Sequence, residues 1–219
     1  LEHTAVKNDR KELSKAEFDR DALQYDQTSK YAPLRQSYQR IANEALERPF
    51  RAWLDIGCGT GSLLQMIRQL DTSAQLFGVD LSEEMIKVAQ SKLGNNADLR
   101  VADSEELPFE NEQFDLITCT FSFHHHPNPR RSLQEMRRVL APAGRVIIAD
   151  PSPFFPARQI LNLIAPLSKD GTVRFYSRAE MQRMLADNGL AVSKWLKLNW
   201  HSFLMVAEED QQRRQVNLY

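Results

Sequence analysis

Cysteine is nearly absent from this chain of 219 residues: there are two, Cys58 and Cys119, and no Cys-x-x-Cys pair. A disulfide framework is thereby excluded, and a reducing, cytoplasmic setting is the expectation. No run approaches the ~20 apolar residues of a membrane span, and the charged N-terminal stretch lacks the apolar core of a secretory signal. Net charge is also missing: 28 Lys and Arg against 29 Asp and Glu leave −1. Without a basic footprint, nucleic acid is not the expected partner. Arg130, Arg131, Arg137 and Arg138 do gather on one predicted helix, but such a run reads as a solvated face. No internal repeat or low-complexity tract is present, and the length suits one α/β domain with a large core.

Residues 10–47 are polar with scattered apolar positions and Pro33, and they predict two helical pieces around a short irregular segment. From residue 51 strand and helix patterns alternate, which predicts a parallel sheet covered on both faces. Strands are expected at 52–56, 75–79, 98–102, 114–120 and 145–149, and helices at 61–70, 83–93 and 129–140. Ser82 can cap the second of these helices, with Glu83 and Glu84 in its first turn. Asn128-Pro129 reads as a cap followed by proline at the first helical position, and Pro142-Ala143-Gly144 as the turn into the next strand. Further helices are expected near 157–166 and 177–188. The runs 190–199 and 201–207, joined at Asn199-Trp200, pair most simply as an antiparallel hairpin. Three segments result: 1–47 as a helical lid, 48–207 as the domain, and 208–219 as a polar tail.

Residues 53–61, Trp-Leu-Asp-Ile-Gly-Cys-Gly-Thr-Gly, read as a buried strand that breaks into a glycine-rich turn. Gly57, Gly59 and Gly61 allow a tight turn and close backbone approach to a ligand. Leu63, Met66, Ile67 and Leu70 then fall at i, i+3, i+4 and i+7, so the turn opens onto a helix N-terminus. The dinucleotide fingerprint is G-x-G-x-x-G, whereas this pattern is D-x-G-x-G-x-G. Asp55 before the turn would repel a pyrophosphate and suits an ammonium group or ribose hydroxyls. The stretch Leu54 to Gly61 resembles motif I of the class I S-adenosylmethionine-dependent methyltransferases. That resemblance implies a three-layer α/β/α Rossmann-like fold, mostly parallel and seven-stranded with a C-terminal antiparallel hairpin, and S-adenosylmethionine as methyl donor.

Ligands of open α/β sheets bind beyond the carboxyl ends of the strands. The second predicted strand ends in Asp80, which can accept from both hydroxyls of a ribose or cap the helix that follows. Leu81 and Met85 would flank an adenine or simply be core. The third ends before Asp103-Ser104; the resemblance implies that Asp103 accepts from the adenine amine beside the Ser104 N–H, while an Asp satisfied by its own loop is the alternative. Cys58 is expected to act through its backbone, and Thr120 closes the fourth strand on the cofactor side.

Phe121-Ser122-Phe123-His124-His125-His126-Pro127 resembles the post-strand motif of the type 11 methyltransferases, a broad group that includes quinone-biosynthesis and other small-molecule enzymes. No metal is expected, because adjacent side chains diverge and no second ligand set with zinc spacing is visible. His124 and His125 are instead candidates for packing, or for a base where the acceptor has a proton to lose. Phe18-Asp19-x-x-Ala22-x-x-Tyr25-Asp26 resembles the N-terminal segment of the same group, which implies Tyr25 over the cofactor's methionine end. The same residues could form the buried face of a docking helix. Phe154, Phe155, Phe175, Tyr176, Trp195 and Trp200 supply aromatic surface, partly for an apolar acceptor and mostly for the core.

The expected activity is transfer of a methyl group to a small molecule by in-line displacement. The rivals are a cofactor-binding regulatory module without turnover and a nicotinamide-dependent oxidoreductase. Asp55, the glycine spacing and the expected hairpin disfavour the oxidoreductase.

Overall fold

Trp53, Leu54, Asp55 and Ile56 are all buried along one five-residue strand, as expected of a parallel strand covered on both faces. In the computed structural model, which describes residues 2–70 and 73–210, that strand is β1 (Ala52–Ile56), near the middle of a seven-stranded sheet. The others are β2 (Gln75–Asp80), β3 (Asp98–Val101), β4 (Phe114–Thr120), β5 (Leu140–Pro151), β6 (Leu190–Asn199) and β7 (Ser202–Glu209). Their order is β3-β2-β1-β4-β5-β7-β6. The first five are mutually parallel, whereas β7 runs antiparallel between β5 and β6. The expected hairpin is present.

The helices are α1 (Glu2–Asp21), α2 (Ala32–Leu46), α3 (Ser62–Gln69), α4 (Glu83–Leu93), α5 (Pro129–Val139), α6 (Ala157–Ile164) and α7 (Arg178–Asp187). Because strand side chains alternate, neighbours separate into two cores. Leu54, Ile117 and Ile148 pack with Leu133, Met136 and Val139 of α5 and with Met181 and Leu185 of α7. Trp53, Leu116 and Ile147 pack on the other face with Ile41 and Ala45 of α2 and with Leu63, Leu64 and Ile67 of α3. This makes the three layers.

Local departures from the sequence reading have local causes. Ser82 caps α4 by accepting the Met85 N–H, but Asn128 makes no side-chain capping bond; its own N–H donates to Glu105 instead. Pro142 to Gly144 form an irregularity inside β5 rather than a separate turn, with Ala143 at φ 61° and the β4 register jumping between Phe114 and Leu116. Glu208 and Glu209 finish β7, so the expected tail starts later; residues 211–219 lie outside the described residues. The four arginines of α5 are engaged rather than merely solvated. Arg130 pairs with Asp187, Arg137 with Glu209 and Arg138 with Glu135, and Arg131 donates to the Glu105 carbonyl. No described helix is long and apolar enough to cross a membrane.

Candidate active site

The strand order reverses between β1, which continues toward β2 and β3, and β4, which continues toward β5. Such a switch point leaves a crevice at the carboxyl ends of the strands. The crevice here is a cavity of about 940 Å³, open mouth included, walled by α1, α2 and the loops after β1 to β4. Asp55, Gly57, Cys58, Gly59, Asp80, Leu81, Met85, Asp103, Ser104 and Thr120 all line it. Tyr25 and His125 line it too.

Two expected residues do not. Gly61 (φ 72°) precedes α3, and a Cβ there would lie 2.9 Å from Leu93 Cδ1 and 3.1 Å from Ala89 Cβ, so its bareness lets α3 and α4 pack. His124 sits one layer behind the wall. Its Nδ1 is 2.8 Å from Asp150 Oδ1 and its ring stacks on Phe175. His125 and His126 both line the cavity, and the His125 ring meets Phe18 edge-on at 5.3 Å. His126 spans 3.4 Å to Ser104 Oγ and 3.3 Å to Ser122 Oγ. The three histidines thus point to three different partners. Of the aromatic set, none lines the cavity: Phe154, Phe155 and Trp200 are exposed, Tyr176 is core, and Trp195 stacks on Phe203.

The acids of the cradle are held by local hydrogen bonds. Asp80 accepts the Gly59 N–H at 2.8 Å and the Ser82 N–H at 2.9 Å, so it ties the glycine loop to the start of α4. It is half-buried, and that burial raises its pKa against the two N–H donors. Asp103 accepts the Glu105 N–H at 2.9 Å and the Lys11 ammonium at 2.6 Å. The self-satisfying loop bond is therefore present, and one oxygen is shared with α1. Asp55 ends a buried relay in which Trp53 Nε1–H donates to Thr118 Oγ1 at 2.8 Å and the Thr118 hydroxyl donates to Asp55 at 2.5 Å.

Burial pushes Asp55 up to about 7; the Thr118 hydroxyl opposes this and the Asp80 charge adds to it. The fold therefore favours the protonated acid. The stability this contributes is present below about pH 4 and lost as pH rises through about 7. Asp55→Asn should raise the melting temperature of the ligand-free protein more at about pH 8 than at about pH 5. Equal gains at both pH values would mean that Asp55 is ionised without penalty. A ligand ammonium placed there would be matched by the carboxylate form.

Burial, reinforced by His124, holds His125 well below the usual imidazole range, and burial takes His126 down to about 4. Both rings are neutral at neutral pH, so His125 can accept a proton only from a strongly acidic group or transiently. Cys58 is likewise pushed up by burial and by Asp80 and Asp55, which leaves a thiol and no nucleophile.

Three contributors escape the sequence reading. Asp150 ends the parallel run of β5 and would have been found by asking for an acid at one more strand end. Tyr38, from α2, reaches the cavity beside Asp55; nothing in the local pattern of a helix preceding the sheet marks it. Lys11 lies seven residues upstream of Phe18, before the segment that carries the family likeness.

An open α/β sheet with a hairpin edge, a glycine loop flanked by acids on three strand ends, and a cavity roofed by N-terminal helices define the class I methyltransferase architecture. The chain belongs to the type 11 family of methyltransferase domains, whose match covers residues 54–148. It is 30% identical over 163 residues to the demethylmenaquinone methyltransferase of Thermotoga maritima, covering 73% of this chain and 66% of that protein. It is 32% identical over 161 residues to the uncharacterized methyltransferase YcgJ of Bacillus subtilis, covering 69% of this chain and 63% of that one. The chain thus spans slightly less than two thirds of either protein. The YcgJ crystal structure superposes with a TM-score of 0.65 at 30% identity, over 74% of this chain and 71% of that structure. The fold is also that of the 1,6-didemethyltoxoflavin-N1-methyltransferase of Burkholderia thailandensis, with a TM-score of 0.72 at 17% identity over 93% and 90% of the two chains. That structure holds S-adenosylhomocysteine.

S-adenosylmethionine fits the residues present. A Cβ on Gly59 (φ 53°) would meet nothing within 4 Å, so the loop presents bare backbone to open space. Asp55, Asp80 and Asp103 bring three carboxylates and Tyr38 a phenol to the same cavity, polar partners of the kind that ribose hydroxyls, an exocyclic amine and an ammonium need.

Proposed function

We propose that this protein transfers the methyl group of S-adenosylmethionine to a small-molecule acceptor by in-line displacement. The observation that carries the reading is one cavity that brings together the acids and glycine backbone of the strand ends with Phe18, Tyr25 and His125. When bound, the cofactor supplies a methyl group already activated by its sulfonium charge. The protein's own residues then bind, orient and exclude water. The Asp150–His124 pair anchors the loop that carries His125, and His125 is the group placed to take a proton where the acceptor has one to lose. His124 acts through that placement. Tyr25, stacked on Tyr31 with centroids 4.1 Å apart, closes the methionine side. The relatives' names make an aromatic ring a reasonable acceptor class, consistent with the apolar wall, and the two buried free cysteines fit a cytoplasmic location.

Calorimetry should show micromolar-scale binding of S-adenosylhomocysteine and much weaker binding of NAD. Tighter binding of NAD would sink the assignment. Transfer of a labelled methyl group to some member of an acceptor panel separates an enzyme from a binding module.

Residues 1–47 act as a lid in this reading. Two of its carboxylates sit on helix starts. Asp19 accepts the Ser82 hydroxyl at 2.6 Å and the Glu84 N–H at 3.3 Å at the head of α4. At the head of α3, Asp26 accepts the Thr60 and Ser62 hydroxyls, both at 2.9 Å, and it also accepts the Lys92 ammonium from the last turn of α4. Both positions complement the positive end of a helix dipole. Hydrogen exchange over residues 15–35 should slow on adding S-adenosylhomocysteine. Equal, strong protection with and without it would make the segment a static part of the core.

A further inference from the structure

α6 contributes no buried side chain. Ile160, Leu163, Ile164 and, in the 3-10 turn that follows, Leu167 recur at i, i+3, i+4 and i+7, the spacing of one helical face. Such a stripe ordinarily faces the core; here it faces solvent, with Leu163 80% and Leu167 81% exposed. Phe154 and Phe155 precede the helix, the latter 76% exposed, and Trp200 at the hairpin tip is 75% exposed. The Ser152 N–H donates to the His201 carbonyl at 2.7 Å, which holds the hairpin tip beside the chain leading to Phe154. A contiguous exposed apolar surface of this kind marks an interaction site.

Within the stripe itself the charge is positive, although Arg158 lies 3.9 Å from Glu180 and Asp170 follows Lys169. Arg158 is the only ionisable side chain between Pro151 and Ser168. Lys169 follows the stripe and Lys197 lies near the hairpin tip; both are exposed and neither makes an ion pair among the described residues. The stripe also borders the segments that close the cavity. Arg10 of α1 donates to the carbonyls of Pro166 and Ser168, and the Val173 N–H donates to the His124 carbonyl at 2.8 Å.

We propose that residues 154–167, with Trp200, form a docking face for an anionic lipid surface. Seven apolar side chains are far fewer than the roughly 20–30 residues a side of a stable protein interface. A short amphipathic helix rimmed by cations fits insertion about 5–10 Å deep at the headgroup boundary. The inference rests on this surface and holds whether or not the chain transfers methyl groups.

The test is co-sedimentation of the full chain with vesicles of phosphatidylcholine plus phosphatidylglycerol, and with vesicles of phosphatidylcholine alone. The expected result is binding to the mixed vesicles and at least about tenfold weaker binding to the neutral ones. The double variant Leu163→Glu/Leu167→Glu should lose binding to the mixed vesicles while keeping its melting temperature and its affinity for S-adenosylhomocysteine. Failure of the wild type to bind the mixed vesicles overturns the proposal, as does equal binding by the double variant. Light scattering that shows a dimer dissociated by the two glutamates assigns the face to a second copy of the chain and overturns it as well.

Discussion

Gly59→Val abolishes binding of S-adenosylhomocysteine, measured by calorimetry, in a protein that still folds. The backbone at Gly59 has φ 53°, a region in which a β-branched residue is strained by roughly 1–3 kcal/mol. A loss of stability of that size, read as a lowered melting temperature, is part of the expected result. Binding fails for a different reason: the new side chain meets no protein atom within 4 Å, so it projects into the space a ligand needs. Gly59→Ala shares the backbone strain and carries less bulk, and its affinity should fall between the two. Cys58→Ser, one residue away, should be mild, because the thiol's hydrogen bond is a long 3.8 Å one to the Gly59 carbonyl. A Cys58→Ser protein that binds cofactor yet is inactive would instead place the thiol in the chemistry.

Asp80→Ala should weaken S-adenosylhomocysteine by about 1.5–3 kcal/mol, roughly 10- to 150-fold, the worth of hydrogen bonds to a charged group. Alanine also strips the acceptor from the Gly59 and Ser82 N–H groups, so the melting temperature should drop with it. Asp80→Asn separates the two effects. It keeps one oxygen for the backbone and a similar volume, and should recover much of the stability while staying weak in binding. A variant that loses stability and keeps its affinity would show that Asp80 only anchors the glycine loop.

Much of this was legible from sequence because it is local. A strand that breaks into Asp55 and three alternate glycines carries its own turn chemistry, and the acid at a strand's end is found by counting along one strand. The helix started by Ser82 with Glu83 and Glu84 is equally self-contained, and its limits agree with the structure residue for residue. The hairpin of β6 and β7 needed only two apolar runs and a short connection. These features depend on residues within a few positions of one another, where backbone preference and side-chain period act directly.

What only the tertiary structure decided lies between residues far apart in the chain. His124 turned to Asp150 instead of the cavity, 26 positions away, and nothing in three consecutive histidines says which one a neighbouring strand will claim. Gly61 serves the packing of α3 on α4, though its spacing alone makes it look like part of the cradle. Asp19 and Asp26 found helix starts more than thirty residues downstream. The apolar stripe of α6 is the plainest case. A helix near 157–166 is legible from sequence, but which way its apolar side chains point is set by what the rest of the fold leaves to cover them.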